Sequence, residues 1–304
     1  MTISLTALRT FATVARLGKF SAAAKELHLT PPALSRHVKL IESQLGLPVF
    51  ERLPGGVQVT EAGKIFSKYV DTTLASLQDG LEAVQAFQKG GKGIVKLCLP
   101  GTLCNDTFLN VLRDFKARNR EAEVSLQMLV NAEVSEVVSR GEANLGIQYQ
   151  EDRHPHLKTE NIGHETVVVV CAPQHPLARA RSVHARDLAN ETWIGTPIAL
   201  TDLENAYQRY LARFGLAGSK IIVAQSYAIR NRLIEANLGI GIAVRSIVQK
   251  SIASGSLCQI KVLSMRSKTS IILVRRKSAY LNPTTMAFAD YLRRAFLPNS
   301  STRR

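Results

Sequence analysis

Apolar side chains recur at helical spacing at the start of the chain and predict a first amphipathic helix. Its stripe comprises Leu5, Leu8, Phe11, Ala12 and Ala15, which repeat every three or four residues as one face of an α-helix does. Gly18 follows and predicts the end of this helix, because glycine readily adopts the left-handed conformation that closes a helix.

Two more helices are predicted before Gly46. Ser21 can cap a short helix in which the run Ala22 to Ala24 lets a neighbouring helix approach closely. Thr30 and Pro31 predict the start of a third helix, since threonine caps helix N-termini and proline is tolerated at the first helical position. The third helix carries its own apolar stripe: Leu34, Val38, Ile41 and Leu45.

The other face of the third helix is polar near its N-terminus, where Pro32, Ser35, Arg36 and Lys39 lie. A short helix, a tight turn and such a helix form the arrangement that places a recognition helix in the major groove of DNA. We expect Arg36 to read a base, because a guanidinium can bond two guanine acceptors at once. The spacing alone is equally compatible with a small bundle whose exposed residues are merely polar.

The segment after Gly46 predicts a β-hairpin and then a long helix. Residues 49–52 and 57–60 have the pattern of two short strands around the turn Leu53-Pro54-Gly55-Gly56, which together form a wing. From Glu61 to Gln88 no proline interrupts the chain, and one apolar stripe recurs close to heptad spacing: Phe66, Val70, Leu74, Leu77, Leu81 and Val84. Such a stripe needs a cover, either a second copy of the helix in a dimer or the helix's own domain.

Residues 1–65 resemble the winged helix-turn-helix of LysR-type transcriptional regulators. The resemblance rests on Leu8 to Ala15, Ser21 to Ala24, Leu27 to Thr30, Ala33 to Arg36, Ile41-Glu42, Leu45-Gly46, Phe50 to Arg52 and Val59 to Gly63. It implies a double-stranded DNA operator as partner, pairing through the helix at 61–88, assembly into a homodimer and homotetramer, and contact with RNA polymerase. The expected DNA contacts are Thr30, Pro31, Pro32, Ser35, Arg36, Lys39, Arg52 and Thr60.

Pro31 is a departure from the family pattern, because many members carry a base-reading glutamine at this position. We therefore expect operator reading to depend more on Arg36, on apolar contacts of Pro32 and on the shape of the DNA.

Lys89 to Gly93 predicts a flexible hinge. Beyond it strand-like and helical runs alternate, which predicts an α/β architecture with parallel strands. The predicted strands are 94–99, 123–130, 145–148, 166–172, 221–224 and 239–244, and the predicted helices are 108–118, 133–140, 203–214 and 228–237.

This second region is similar to the LysR effector-binding domain in the spacing of its elements, in His175-Pro176-Leu177 and in Leu238 to Ile242. The resemblance implies two α/β lobes like those of type II periplasmic binding proteins. The predicted organisation is a DNA-binding domain at 1–60, a linker and dimerisation helix at 61–88, a hinge at 89–93 and an effector-binding domain at 94–304. Within the last, lobe I comprises 94–163 and 268–304, and lobe II comprises 164–267.

A ligand site is predicted at the junction Pro100 to Cys104, because ligands in such folds bind where strand carboxyl ends meet helix N-termini. Thr102 stands where family members often carry a serine or threonine that holds an effector carboxylate, although a plain helix N-cap also explains it. By the same resemblance Asn131, Tyr149, Thr196 and Thr201 face the cleft between the lobes. No cofactor is expected beyond this small-molecule effector.

The net charge of +15 and the pI of about 9.9 favour a polyanionic partner or an acidic ligand. Residues 1–90 contribute only +3 of it, from ten Lys and Arg against seven Asp and Glu, so charge alone does not locate the DNA site. The excess further along weakly favours an anionic effector, and the basic stretch 261–304 is typical of a solvated face.

The remaining sequence features argue against a membrane protein, a secreted protein and a cysteine-based metal site. Apolar runs fall short of the roughly 20 residues that cross a bilayer and no secretory signal precedes them, so we expect a cytoplasmic protein without membrane contact. Cys98, Cys104, Cys171 and Cys258 form no CxxC pair, which predicts reduced thiols and no cysteine metal site.

The sequence also gives little support for an enzyme. No GxSxG, P-loop or HExxH motif occurs, residues 239–244 lack the third glycine of a dinucleotide fingerprint, and the histidines at 154–164 fit a polar loop better than a metal site. We therefore predict a ligand-responsive DNA-binding regulator that is not an enzyme. The alternative is an α/β solute-binding or enzymatic domain with an incidental helical N-terminus.

Overall fold

The structure is a computed structural model and describes residues 3–88, 93–149, 151, 154–196, 203–263, 265 and 267–297. Of the predicted hinge, only Gly93 lies among them. The N-terminal region contains α1 (Leu5–Leu17), α2 (Phe20–Glu26), α3 (Pro31–Leu45), β1 (Phe50–Leu53), β2 (Gly56–Val59) and α4 (Glu61–Gln88).

The three short helices, the hairpin and the start of α4 share one apolar core. Phe11 of α1 and Leu34 and Ile41 of α3 are completely buried in it. The ring of Phe11 lies 5.2 Å from the rings of both Phe50 and Phe66, which join the hairpin and α4 to the helices. The position of α3 relative to the hairpin is therefore fixed by packing.

The local signals at the helix ends are mostly confirmed. Gly18 has a φ of 63° and ends α1, and Thr30 caps α3 ahead of Pro31. The prediction that Ser21 caps α2 is wrong: α2 begins at Phe20 after Lys19, because only two residues separate it from α1. Leu45, predicted to complete the apolar stripe of α3, is 38% exposed at the end of that helix.

The second region is an α/β fold. It contains β3 (Ile94–Pro100), α5 (Asp106–Arg118), β4 (Glu123–Leu129), α6 (Val134–Ser139), β5 (Leu145–Tyr149), β6 (Leu157–Cys171), β7 (Thr192–Gly195), α7 (Leu203–Ala212), β8 (Lys220–Val223), α8 (Tyr227–Glu235), β9 (Gly241–Val244), α9 (Arg245–Ala253), β10 (Cys258–Ile260), β11 (Ser267–Arg276) and α10 (Pro283–Phe296).

The strands form a mixed sheet rather than a parallel one. Strands β3, β4 and β5 are mutually parallel, as are β7 and β8. The prediction of parallel strands is wrong for β6, β9, β10 and β11, which pair antiparallel. The reason is topological: β11 returns beside β6 along its whole length and then pairs with β5.

Apolar clusters lie along β6 in both halves of this region, with one main core in each half. The first half of β6 pairs with β11, and its partners change at Val167, which faces both Ser267 and Val244. One core surrounds β3, α5 and α10, where the rings of Phe115 and Phe288 are 4.9 Å apart. The other surrounds the fully buried Trp193 on β7. We refer to the half that contains β3–β5, α5, α6 and α10 as the β3 lobe, and to the half that contains β7–β10 and α7–α9 as the β7 lobe.

Candidate functional site

Helix α3 buries one face and presents the other to solvent. Thr30 Oγ1 accepts a hydrogen bond of 3.4 Å from the Ala33 N–H at the start of the helix. At the outer face Thr30, Pro31, Pro32, Arg36 and Lys39 are exposed, whereas Ser35 is half-buried. Among the described residues neither Arg36 nor Lys39 has an ion-pair partner, so both cations are available to an anionic partner.

A contact that the sequence did not predict fixes α3 against α1. Thr10 Oγ1 lies 3.0 Å from His37 Nδ1 and donates its proton to the Thr6 carbonyl at 2.8 Å. The contact between Thr10 and His37 joins α1 and α3 through a polar pair at the edge of the apolar core.

The hairpin forms a wing beside α3 and is anchored to the end of α1. The Val57 N–H donates to the Gly18 carbonyl at 2.8 Å, and Arg52 on β1 is exposed. Thr60 is engaged within the fold, since its hydroxyl donates to the Pro48 carbonyl at 2.7 Å and accepts from the Gly63 N–H at 3.0 Å. The described surface thus offers Arg52, but no unused hydroxyl proton of Thr60, to a ligand.

The predicted stripe of α4 is divided between two environments. Phe66, Val70 and Leu74 pack into the chain's own N-terminal core, so half of the stripe is covered within the monomer. Leu77, Leu81 and Val84 are 41%, 50% and 59% exposed. Ile65, Tyr69 and Phe87 extend this exposed apolar surface.

The opposite side of α4 docks on the β3 lobe through buried polar contacts. Arg276 at the end of β11 pairs with Asp79 of α4, and the two side chains are 6% and 10% exposed. Burial raises the pKa of Asp79, and the Arg276 charge opposes that effect. Burial also acts to raise the pKa of Glu82, but hydrogen bonds from Lys96, at 2.6 Å, and from Gln78 and Asn144 hold it below its usual range.

A cavity of about 270 Å³ lies between the β3 and β7 lobes. Three of the expected effector contacts, Thr102, Tyr149 and Thr196, line it. The other lining residues were not predicted: Val167, Tyr207, Tyr210, Arg213, Phe214, Tyr227, Arg230, Ile242, Ala243, Val244, Ile247, Lys268 and Thr269. A signal was present in the spacing of Tyr207, Tyr210 and Phe214, which places three aromatic rings on one side of the α7 segment.

The other expected effector contacts lie elsewhere. Asn131 is not part of the cavity lining: its side chain bonds the Tyr149 backbone in both directions, at 2.9 and 2.6 Å, and so holds the end of β5. Thr201 lies outside the described residues. Thr102 does not cap α5, because Asn105 does so with its Oδ1.

The cavity contains buried polar groups without protein partners. Within the described part of the chain, the hydroxyls of Thr102, Tyr149 and Tyr207 lack a partner with full hydrogen-bond geometry, although the Tyr207 hydroxyl lies close to the Ile242 backbone. Burial raises the pKa of both tyrosines. Thr102 lies close enough to Tyr149 to oppose that effect slightly, but the pair does not reach hydrogen-bond geometry. Because buried polar groups are normally satisfied, these hydroxyls make the cavity a candidate ligand site.

The two lobes also meet beside the cavity. Glu165 of β6 accepts hydrogen bonds from Asn105 of the β3 lobe at 3.0 Å and from Ser246 of the β7 lobe at 2.7 Å. Asp106 and Lys250 form a second bridge of 2.9 Å between the lobes. Burial raises the pKa of Glu165.

The cysteines and histidines form no reactive or metal-binding cluster in the described ranges. All four cysteines are free, and burial raises the pKa of Cys98 and of Cys171 to about 12. Among the described residues no group of three His, Cys, Asp or Glu is arranged to hold a metal ion. No described helix has the length and apolar character to span a bilayer.

Several regulators are similar to this chain over nearly their whole length. The RuBisCO operon transcriptional regulator of Allochromatium vinosum is 25% identical over 296 residues, which cover 96% of each chain. The transcriptional activator CmpR of Synechocystis is 25% identical over 298 residues, covering 93% of this chain and 92% of the activator.

Solved structures show the same fold. Full-length OxyR from Pseudomonas aeruginosa superposes with a TM-score of 0.65 at 18% identity, covering 97% of this chain and 95% of OxyR. CbnR in complex with its target DNA superposes with a TM-score of 0.54 at 22% identity, covering 96% of this chain and 99% of CbnR.

Two family models match consecutive parts of the chain. The bacterial regulatory helix-turn-helix of the lysR family matches residues 5–64, and the LysR substrate binding domain matches residues 88–297. These matches confirm the predicted resemblance, and they favour the regulator over the enzymatic alternative because the similar proteins are transcriptional regulators. The chain therefore belongs to the LysR family of transcriptional regulators, with a DNA-binding helix-turn-helix followed by an effector-binding domain.

Proposed function

We propose that this regulator reads operator DNA with the N-terminal half of α3 and holds the DNA backbone with its wing. Arg36 would bond a base edge, and Arg52 would bond a phosphate. Thr30, Pro31, Pro32, Ser35 and Lys39 would complete the reading surface, with Thr60 supporting it from the base of the wing. The observation that carries this proposal is the outer face of α3, where two exposed cations, Arg36 and Lys39, have no ion-pair partner among the described residues and lie on a helix whose other face is buried.

The proposed division of labour follows the predicted boundaries. Residues 1–60 would bind DNA, 61–88 would pair with a second copy, 89–93 would act as a hinge, and 94–304 would bind the effector in two lobes. The exposed surface of α4 that contains Leu77, Leu81 and Val84 supports pairing, because a second copy would cover it. The assembly would be a homotetramer that contacts RNA polymerase, and its place of action is the cytoplasm, where an operator is accessible.

The effector would be a small anion held in the cavity beside Thr102. This part of the proposal is supported by the unpartnered hydroxyls and by the cationic lining of that cavity.

Arg36→Ala tests the DNA-binding part of the proposal. We expect it to cost about 1 to 3 kcal/mol of specific binding and to relax preference at one base position, because a bidentate base contact is lost. Footprinting and competition with operator variants measure both effects. Arg113→Ala is the matched control, since Arg113 lies on α5 of the other region and its side chain is 74% exposed. Wild-type affinity and base preference in Arg36→Ala would refute the proposed role of α3.

A further inference from the structure

We propose that the cavity beside Thr102 selects an aromatic carboxylate, with the Arg230 guanidinium as its counter-ion. This inference rests on the proposed function, in which the same cavity holds the effector. It adds the chemical class of that effector and the residue that recognises its charge.

Arg230 is a buried cation that lacks a carboxylate partner in the described part of the chain. The residue is only 2% exposed. Its Nη1 donates to the Ile242 carbonyl at 2.9 Å, and its Nε and Nη2 donate to the Asn231 side chain at 3.2 and 2.9 Å. A guanidinium has five N–H groups, so two remain without an acceptor. An uncompensated buried charge is costly, and an anionic ligand would relieve that cost.

The charge of the surrounding lining has one sign. Arg213 and Lys268 line the same cavity as Arg230, and no described aspartate or glutamate does so. Burial lowers the pKa of Arg230, because removal from water disfavours the charged form of a cation. The lining therefore favours a negatively charged ligand.

The walls of the cavity favour a ring. Five aromatic side chains line it: Tyr149, Tyr207, Tyr210, Phe214 and Tyr227. The Arg230 guanidinium carbon lies 5.1 Å from the centroid of the Tyr227 ring, so an aromatic face and the cation form a single recognition element. Rings stack on rings at a gain beyond simple burial, whereas phosphate or a short aliphatic acid would leave these walls without a partner.

The size of the cavity limits the ligand to about one ring. A cavity of about 150 Å³ can hold benzene, and the volume here is about 270 Å³. One ring with a carboxylate and a small substituent fits this space, while drug-sized ligands occupy pockets of roughly 300 to 1,000 Å³.

The unpartnered hydroxyls suggest the orientation of the ligand. Tyr207 and Arg230 line the same cavity, so the Tyr207 O–H would donate a second hydrogen bond to the carboxylate. Thr102 and Tyr149 lie near each other and would bond a hydroxyl or carbonyl substituent elsewhere on the ring. The simplest compound with both features is a hydroxybenzoate.

Calorimetric titration of the full-length protein with 4-hydroxybenzoate tests the inference. The comparison ligands are 4-hydroxybenzamide, which is neutral, succinate, which lacks a ring, and inorganic phosphate. We expect 4-hydroxybenzoate to bind at least about tenfold more tightly than each of them, because a hydrogen bond to a buried charge is worth about 1.5 to 3 kcal/mol. Equal affinity for acid and amide, or tighter binding of succinate or phosphate, would overturn the inference.

Arg230→Gln and Arg232→Gln form a matched pair on α8. Arg232 has an 86% exposed side chain and does not line the cavity, so its variant should bind like the wild type. Arg230→Gln should lose at least about tenfold of its affinity for the acid but little of its affinity for the amide. If it does not fold, Tyr149→Phe takes its place and should remove the preference for 4-hydroxybenzoate over benzoate. An unchanged preference in the variant that folds would contradict the assigned contacts.

The same titrations separate this inference from the proposed function. If succinate or phosphate binds and Thr102→Val weakens that binding, the cavity is the effector site but its ligand is not aromatic. If no ligand in the panel binds, the inference is wrong, while the footprint of Arg36→Ala still decides the proposal on DNA.

Discussion

Replacing Arg276 by methionine should destabilise the protein strongly, because the change leaves a buried carboxylate without its counter-ion. Arg276 lies at the end of β11 and pairs with Asp79 across the contact between the β3 lobe and α4. Its Nη1 also donates to the Val138 carbonyl at 2.9 Å and to the Ala143 carbonyl at 3.4 Å. Methionine retains the apolar stem but supplies none of these donors.

The expected loss is about 3 to 5 kcal/mol, the range seen when one partner of a buried ion pair is removed. A value at the surface-pair level of about 0 to 1 kcal/mol is not expected, since both side chains are at most 10% exposed. The double variant Asp79→Leu with Arg276→Met should recover most of the loss, because no charge then remains buried.

Urea unfolding of the full-length protein, followed by circular dichroism, measures these changes and gives the coupling free energy of the pair. Arg275→Met is the control: Arg275 precedes Arg276 on the same strand and is half-buried, and its side chain donates to the Arg276 carbonyl and to no other group in the described part of the chain. We expect it to cost less than about 1 kcal/mol. A loss below about 1 kcal/mol in Arg276→Met would show that water reaches the pair and that α4 does not dock on the sheet in solution.

Three further predictions concern the wing, the linker helix and the lobe contact. Arg52→Ala should weaken specific and non-specific DNA binding alike and make the plot of log K against log salt shallower by about one unit, and an unchanged slope would exclude a phosphate contact. Leu81→Lys should reduce the oligomer in sedimentation velocity, since it places a charge on the exposed apolar surface of α4, whereas Asn110→Lys, at an exposed position of α5 outside that surface, should not; equal oligomer content in both would contradict pairing through Leu81. Because burial raises the folded-state pKa of Glu165, its contribution to stability is complete below its ordinary pKa and is lost as pH rises through the raised value. Glu165→Gln should therefore be more stable than the wild type at neutral pH and equal to it at acidic pH in thermal unfolding, and a neutral-pH loss would refute this sign.

The N-terminal elements could be predicted from the sequence because their signals are local. Gly18, Thr30 and Pro31 fix helix ends through their own backbone preferences, and the wing follows from the turn Pro54-Gly55. Helix α4 has the predicted bounds of Glu61 and Gln88, since no proline interrupts it and its apolar stripe is continuous. Ser21 shows the limit of such rules. It is a good capping residue, but the turn after α1 is so short that α2 already begins at Phe20 and Ser21 lies inside the helix.

The surfaces against which these helices and strands pack could not be predicted from local signals. An apolar stripe at helical spacing predicts that one face of a helix is covered, but it does not identify the surface that covers it. Phe66 and Val70 contact the chain's own N-terminal core, whereas Leu81 is exposed. The cavity depended on non-local contacts as well. The family resemblance indicates Thr102. Arg230, in contrast, lines the cavity because α8 lies beside β9, and this contact between distant segments leaves no signal in the local sequence.

Strand β11 connects the cavity between the lobes with α4. The ion pair at the end of this strand can therefore be tested for a second role, in transmitting the effect of a bound ligand. Lys268 and Thr269 line the cavity, and Arg276 holds α4 about 26 Å away at roughly 3.3 Å per residue. An effector can alter DNA binding only if it favours one arrangement of the assembly over another, typically by about 1 to 3 kcal/mol. If the contact at Asp79 transmits that preference, the stable double variant Asp79→Leu with Arg276→Met should bind 4-hydroxybenzoate as the wild type does and should keep its DNA affinity. Its footprint, however, should no longer change when the ligand is added. A footprint that still responds to the ligand would place the coupling in another contact between α4 and the β3 lobe, such as Glu82 with Lys96.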